Sequence, residues 1–123
     1  MEFDGEAFVS EFMDVWNAHD VDGIMATFTE DVVFESSFGD MPWGAQAVGK
    51  DATRRLIIDV FNRVPDIRFN ELRHFVCPDH ATVESMTTGT PVGGNRYEVH
   101  LVDVLTLRNG KIAAKRSYRK AKI

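Results

Sequence analysis

The chain has 123 residues, 44% hydrophobic and 27% charged, the balance of an ordinary globular protein, and its length fits one domain spanning 1–123 that buries roughly two-thirds of its unfolded surface. No apolar run approaches the ~20 residues of a membrane span, and Cys77 is the only cysteine, which excludes an internal disulfide and any Cys-rich metal site. The first residues, Met-Glu-Phe-Asp-Gly-Glu, are acidic, the wrong sign for a secretion or transit signal, so a cytoplasmic protein is expected.

From about Gly5 to Ala18 the period is helical: Phe8, Phe12, Val15 and Trp16 recur at spacings of three and four, with Glu6, Ser10, Glu11, Asp14 and Asn17 opposite. The helix should stop near His19, read as a loop residue because no His-x-x-x-His spacing accompanies it. Asp20 then fits the N-cap of a short helix from Val21 to Phe28. Val32 to Ser36 reads as a short strand. Ser37 to Gly49 holds Gly39, Pro42, Gly44 and Gly49 and reads as a loop. Trp43 in that loop should fold over something apolar, either the core edge or the mouth of a pocket.

Lys50 to Arg63 predicts a third helix, with Leu56, Ile57, Val60, Phe61 and Val64 as its apolar stripe and Pro65 as its stop. Strands follow at about Ile67–Val76 and Ala81–Gly89, then a hairpin from Tyr97 to Lys120 around Asn109-Gly110. Asn-Gly between apolar runs is a strong hairpin signal, because a type I′ turn needs φ > 0 at both central residues. Helices first and long strands after predict an α+β domain, three N-terminal helices packed in a curved antiparallel sheet. The cone this leaves is a natural small-molecule pocket.

In the first hairpin strand Tyr97, Val99, Leu101, Leu105 and Leu107 share a face with Asp103 at its centre. A carboxylate there is costly unless it is paired, hydrogen-bonded or protonated. With a two-residue turn and no bulge, Leu107 faces Ile112, Leu105 faces Ala114, Asp103 faces Arg116 and Leu101 faces Tyr118. That register predicts an Asp103–Arg116 pair inside the cone. A one-residue bulge would instead bring Ser117 and Arg119 to that side. The opposite face carries His100, Val102 and Val104 and should press against a second copy, giving a homodimer.

The charge is asymmetric. No Lys or Arg precedes Lys50, and after Asp103 come Arg108, Lys111, Lys115, Arg116, Arg119, Lys120 and Lys122 with no acid among them. No aromatic platform interleaves with the basic residues, so neutralisation by the acidic half is expected rather than nucleic-acid binding. Four scattered histidines make no metal set, and no cofactor motif is present.

The runs Trp16-Asn17-Ala18-His19-Asp20-Val21-Asp22-Gly23-Ile24 and Phe28-Thr29-Glu30-Asp31-Val32-Val33-Phe34, with Gly49-Lys50-Asp51, Pro65-Asp66-Ile67-Arg68-Phe69, Val102-Asp103-Val104 and Asn109-Gly110-Lys111-Ile112, are similar to nuclear transport factor 2-like proteins. The likeness covers nearly the whole chain and is nearest the SnoaL-like polyketide cyclase and ketosteroid isomerase branch. It implies the conical fold and places Asp103 at the protonated aspartate of ketosteroid isomerase. The isomerase tyrosine falls on Phe12, its base near Ser36 beside Glu35, and the cyclase aspartate on Ser117. A carboxylate–guanidinium pair would also resemble the Asp-Arg-Asp arrangement of limonene epoxide hydrolase.

The expected function is binding of a small, largely apolar metabolite, with cofactor-independent acid/base chemistry at Asp103 assisted by Arg116. The alternative is a binding or structural homodimer without chemistry. Phe12, Trp16 and Phe61 from the helices and Phe34 and Ser36 from the first strand are the expected wall. Leu101 and Tyr118 of the hairpin and Trp43 at the mouth would complete it.

Overall fold

A computed structural model describes residues 2–121; Lys122 of the basic tail lies outside the described residues. Helix α1 (Gly5–Asn17) is capped by the Asp4 carboxylate, which accepts from the Ala7 N–H at 3.1 Å. Helix α2 (Val21–Ala26) is capped by Asp20, which accepts from the Gly23 N–H at 3.0 Å. Strand β1 (Phe28–Glu35) begins four residues before the expected strand, and a three-residue strand β2 (Gln46–Val48) lies where the sequence reads as loop. Helix α3 (Lys50–Arg63) follows, then β3 (Arg68–Cys77), β4 (His80–Gly89), β5 (Tyr97–Arg108) and β6 (Lys111–Arg119).

The six strands form one curved, unclosed sheet in the order β2-β1-β6-β5-β4-β3. The sheet is antiparallel except where β1 runs parallel to β6. That exception has a simple cause. α3 and four strands lie between β1 and β6, so the chain has length enough for the crossover that a parallel neighbour requires. The helices cover the concave face. α1 buries Val9, Phe12 and Trp16, and α3 buries Thr53, Ile57 and Phe61.

The corner between α1 and α2 is tied to the sheet by polar contacts. Asn17 donates its amide to the Phe69 carbonyl at 2.9 Å and accepts from the Phe69 N–H at 2.8 Å, as a neighbouring strand would. His19 bonds the Ile67 carbonyl at 2.8 Å and stacks on Phe61 at 4.2 Å between ring centroids. His19 is thus a structural loop residue, at a φ of 53°.

The β5–β6 turn has Asn109 at φ 53° and Gly110 at φ 77°, both positive as expected. Arg108 faces Lys111 and Leu107 faces Ile112, but Thr106 then faces Ala114, so Ala113 is an extra residue. This bulge corrects the expected pairing. Asp103 faces Ser117, Val104 faces Arg116 and Leu101 faces Arg119. A shift of one residue moves every later β6 side chain to the other face of the sheet.

The basic strand is met by acceptors of the acidic half. Arg108 pairs with Asp31, the Lys111 ammonium donates to the Ala26 carbonyl at 2.9 Å, and Arg116 lies 3.5 Å from Glu35. On the convex face Arg73 pairs with Glu84, His100 is exposed, and Val102 and Val104 are half-buried.

α1 is also pinned to β3 by charge. His74 Nε2 lies 2.9 Å from Glu6 and Nδ1 lies 2.6 Å from Glu71. Both neighbours are acceptors, so the doubly protonated ring satisfies both. Glu6 first and Glu71 second raise the His74 pKa above its ordinary 6.5. A folded-state pKa above the unfolded value stabilises the fold fully below the unfolded pKa, and the gain is lost as pH rises through the folded one. Thermal melts should therefore show a fall in Tm above pH 6.5 that His74→Gln flattens. Parallel profiles for the two proteins would remove the ion pair from the account.

Candidate functional site

The open end of the cone holds a cavity of about 270 Å³. Its walls are apolar, with Trp16 from α1, Phe34 from β1, Val60 and Val64 from α3, Phe69 from β3 and Leu101 from β5. Loop geometry shapes one side. Ser36 donates its N–H to the Ala45 carbonyl at 2.8 Å, and Gly44 turns at φ 78° where a Cβ would lie 2.2 Å from the Ser36 carbonyl oxygen. Only glycine fits that approach.

At the floor Asp103 is 5% exposed, as its place on the inward face of β5 requires. Its partner is Lys115, also 5% exposed, with Nζ 3.1 Å from Asp103 Oδ1. Ser117 Oγ–H donates to the same oxygen at 2.6 Å and accepts from Lys115 Nζ at 3.0 Å. The ammonium lies 4.6 Å from the Trp16 ring centroid and 4.8 Å from that of Phe34. Ion pair, hydroxyl and two π-faces together offset the desolvation of a buried lysine. Both polar contacts of Asp103 go to Oδ1.

Beneath the floor, Trp16, Phe12, Ser85, Asp103 and Lys115 line a void of about 10 Å³. The Trp16 indole N–H is buried and has no acceptor among the described residues. At the rim, the Arg119 guanidinium sits 4.7 Å over the Tyr97 ring and that of Arg63 5.1 Å over Phe38. Burial is the main cause that raises the Tyr97 pKa, which keeps its hydroxyl protonated at neutral pH.

Several expected residues meet here: Trp16, Phe34, Ser36 and Leu101 line the cavity around Asp103. Others do not. Arg116 lies on the convex side against Glu35, because the bulge at Ala113 turns it outward. Tyr118 faces Val102 and is 58% exposed for the same reason. Trp43, 47% exposed, lines a neighbouring cavity of about 430 Å³ with Met41 and Tyr118. Phe12 borders the small void and a separate hollow beside the β5–β6 turn, and Phe61 is core, edge-on to Trp16 at 5.9 Å. Sequence reasoning missed Lys115 as the partner of Asp103. The signal available was parity: Lys115 shares a face with Ser117 and Arg119, the residues a bulge turns inward.

The SnoaL-like domain family model matches residues 9–115. Among curated proteins none matches. Solved structures with the same fold include a candidate polyketide cyclase from Sinorhizobium meliloti, 24% identical with a TM-score of 0.74, covering 93% of this chain and 94% of that one. TerC co-crystallised with polyporic acid is 16% identical with a TM-score of 0.79, covering 93% and 89%. A protein with a ketosteroid isomerase-like fold from Catenulispora acidiphila, in complex with trimethylamine, is 17% identical with a TM-score of 0.78, covering 90% and 83%.

The buried pair has a measurable signature. Removing one member of such a pair strands the other charge and costs about 3–5 kcal/mol, whereas replacing both with apolar groups is often neutral. Urea unfolding of Lys115→Met should show a loss of that order, and the double variant Asp103→Leu/Lys115→Met should recover most of it.

Proposed function

The chain belongs to the SnoaL-like domain family, and from that premise we propose that it binds a small, largely apolar molecule in its conical cavity and performs cofactor-independent acid/base chemistry there, with Asp103 as the base. The observation that carries this reading is the enclosed carboxylate at the floor of an apolar chamber, Oδ1 held by Lys115 and Ser117. The ligands of TerC and of the Catenulispora protein show that relatives of this fold take small molecules.

In the proposed mechanism Lys115 and Ser117 fix Asp103 through Oδ1, and Oδ2 accepts the proton. A carbon acid seated against Trp16 and Phe34 loses its α-proton to Oδ2. The electron pair moves onto the adjacent carbonyl oxygen, and the Lys115 ammonium stabilises the charge that develops there. Asp103 then delivers that proton to a conjugated carbon, which gives isomerisation, or first trades it with solvent and delivers the new one to the same carbon, which gives exchange. Apolar walls exclude water, so the ammonium acts at low dielectric. Arg116, on the convex side, has no part in this scheme.

The chemistry is tested with 2-tetralone, a bicyclic carbon acid, in D₂O. Proton NMR should show α-deuterium exchange catalysed by the protein. Asp103→Asn should slow it by about 10²-fold or more, the low end for a positioned acid/base, under conditions where circular dichroism shows the less stable variant still folded. Exchange at the same rate in that variant removes Asp103 as the base. Binding of 2-tetralone without catalysed exchange favours the second reading, a binding protein whose Asp103–Lys115 pair only braces the sheet.

The convex face completes the proposal. Phe75 is 67% exposed, Leu72 41% and Tyr118 58% on the side that also carries His100, Val102 and Val104. A second copy laid on this face would bury on the order of 1,600 Å², the size of a standard stable interface. Sedimentation at micromolar concentration should give a dimer that Val102→Glu dissociates, and a wild-type monomer would contradict it.

A further inference from the structure

The charge around the cavity is opposite in sign to that of the chain. The chain carries −5, yet among the described residues Asp103 is the one acid lining the cavity, against Lys115, Arg63 and Arg119, a lining charge of +2. Lys115 is committed to Asp103 and Ser117. Arg63 bridges Asp59 at 2.8 Å with both groups half-exposed, a pairing worth little in solvent. Arg119 makes no ion pair among the described residues and rests on Tyr97. Apart from Asp103, then, the charged side chains that line the cavity are cations, set among hydroxyls that can donate or accept.

Size narrows the occupant further. A cavity of about 150 Å³ holds one benzene, so the 270 Å³ here suits one or two fused rings. Trp16, Phe34 and Phe69 offer aromatic faces to a flat body.

Resting on the pocket reading above, we infer that the ligand is a one- or two-ring aromatic acid. Its carboxylate lies against Arg119, with Arg63 as the second cation, and its ring stands between the aromatic walls. An oxygen-bearing end points to the donors at the floor. Arginine suits the task because its planar fork matches a carboxylate. The anion replaces rim water with charge-assisted hydrogen bonds, while Asp103 below stays free to act on the ring end.

The test uses three probes that share one ring system: 2-naphthoate, neutral 2-naphthamide and cationic 2-naphthylmethylammonium, titrated calorimetrically at low ionic strength. The expected order is naphthoate at least tenfold tighter than naphthamide, and the ammonium weakest. Arg119→Gln should remove most of the preference for naphthoate and leave naphthamide affinity as it was, which also reports that the cavity is intact. Arg63→Gln should have a smaller effect in the same direction. Equal binding of naphthoate and naphthamide, or a preference that survives the double Arg63→Gln/Arg119→Gln variant, overturns the assignment of an acid and leaves the pocket standing. Binding of none of the three rings overturns the pocket reading along with it.

Discussion

Taking a carboxylate and an ammonium out of water is expensive, and the interior of this protein contains both, 3.1 Å apart. Their mutual attraction repays the cost only with good geometry and further partners. Ser117 supplies a hydroxyl to each, and Trp16 and Phe34 supply ring faces to the ammonium. Those partners come from α1, β1, β5 and β6, so the floor can form only when the helical layer and the sheet are correctly joined. The same joining opens the cavity above it. Site and fold therefore depend on one arrangement. The contacts that hold α1 in place, Asn17 on Phe69 and His74 between Glu6 and Glu71, serve the site at a distance.

Much of this was legible in the residues. The apolar period of α1, the Asp20 cap, the span of α3 and the Asn109-Gly110 turn all follow from local chemistry, and the structure shows each of them. The inward direction of Asp103 follows from alternation along β5, because apolar neighbours two residues away on either side can point only to the core. β2 escaped notice because three residues inside a glycine-rich loop carry no pattern long enough to read.

The partner of Asp103 was not legible, for a specific reason. Turn chemistry fixes only the pairs nearest the turn, and they are as expected: Arg108 with Lys111, Leu107 with Ile112. The bulge at Ala113 comes next and carries no glycine to mark it. One inserted residue then exchanges Arg116 and Tyr118 for Lys115, Ser117 and Arg119 on the concave face. Both registers offer a cation to the same carboxylate, so the demand for a counter-charge could not choose between them. Packing chooses: the lysine ammonium reaches the ring faces of Trp16 and Phe34, and Arg116 finds Glu35 on the other side.

The central claim is that the cavity receives a small molecule against Asp103. A crystal structure of the protein soaked with 2-tetralone tests it most directly. The account predicts density in the cavity, with the α-carbon about 3–3.5 Å from Asp103 Oδ2 and the carbonyl oxygen turned to Lys115. Density confined to the convex face, or a cavity closed by its own side chains, would contradict it.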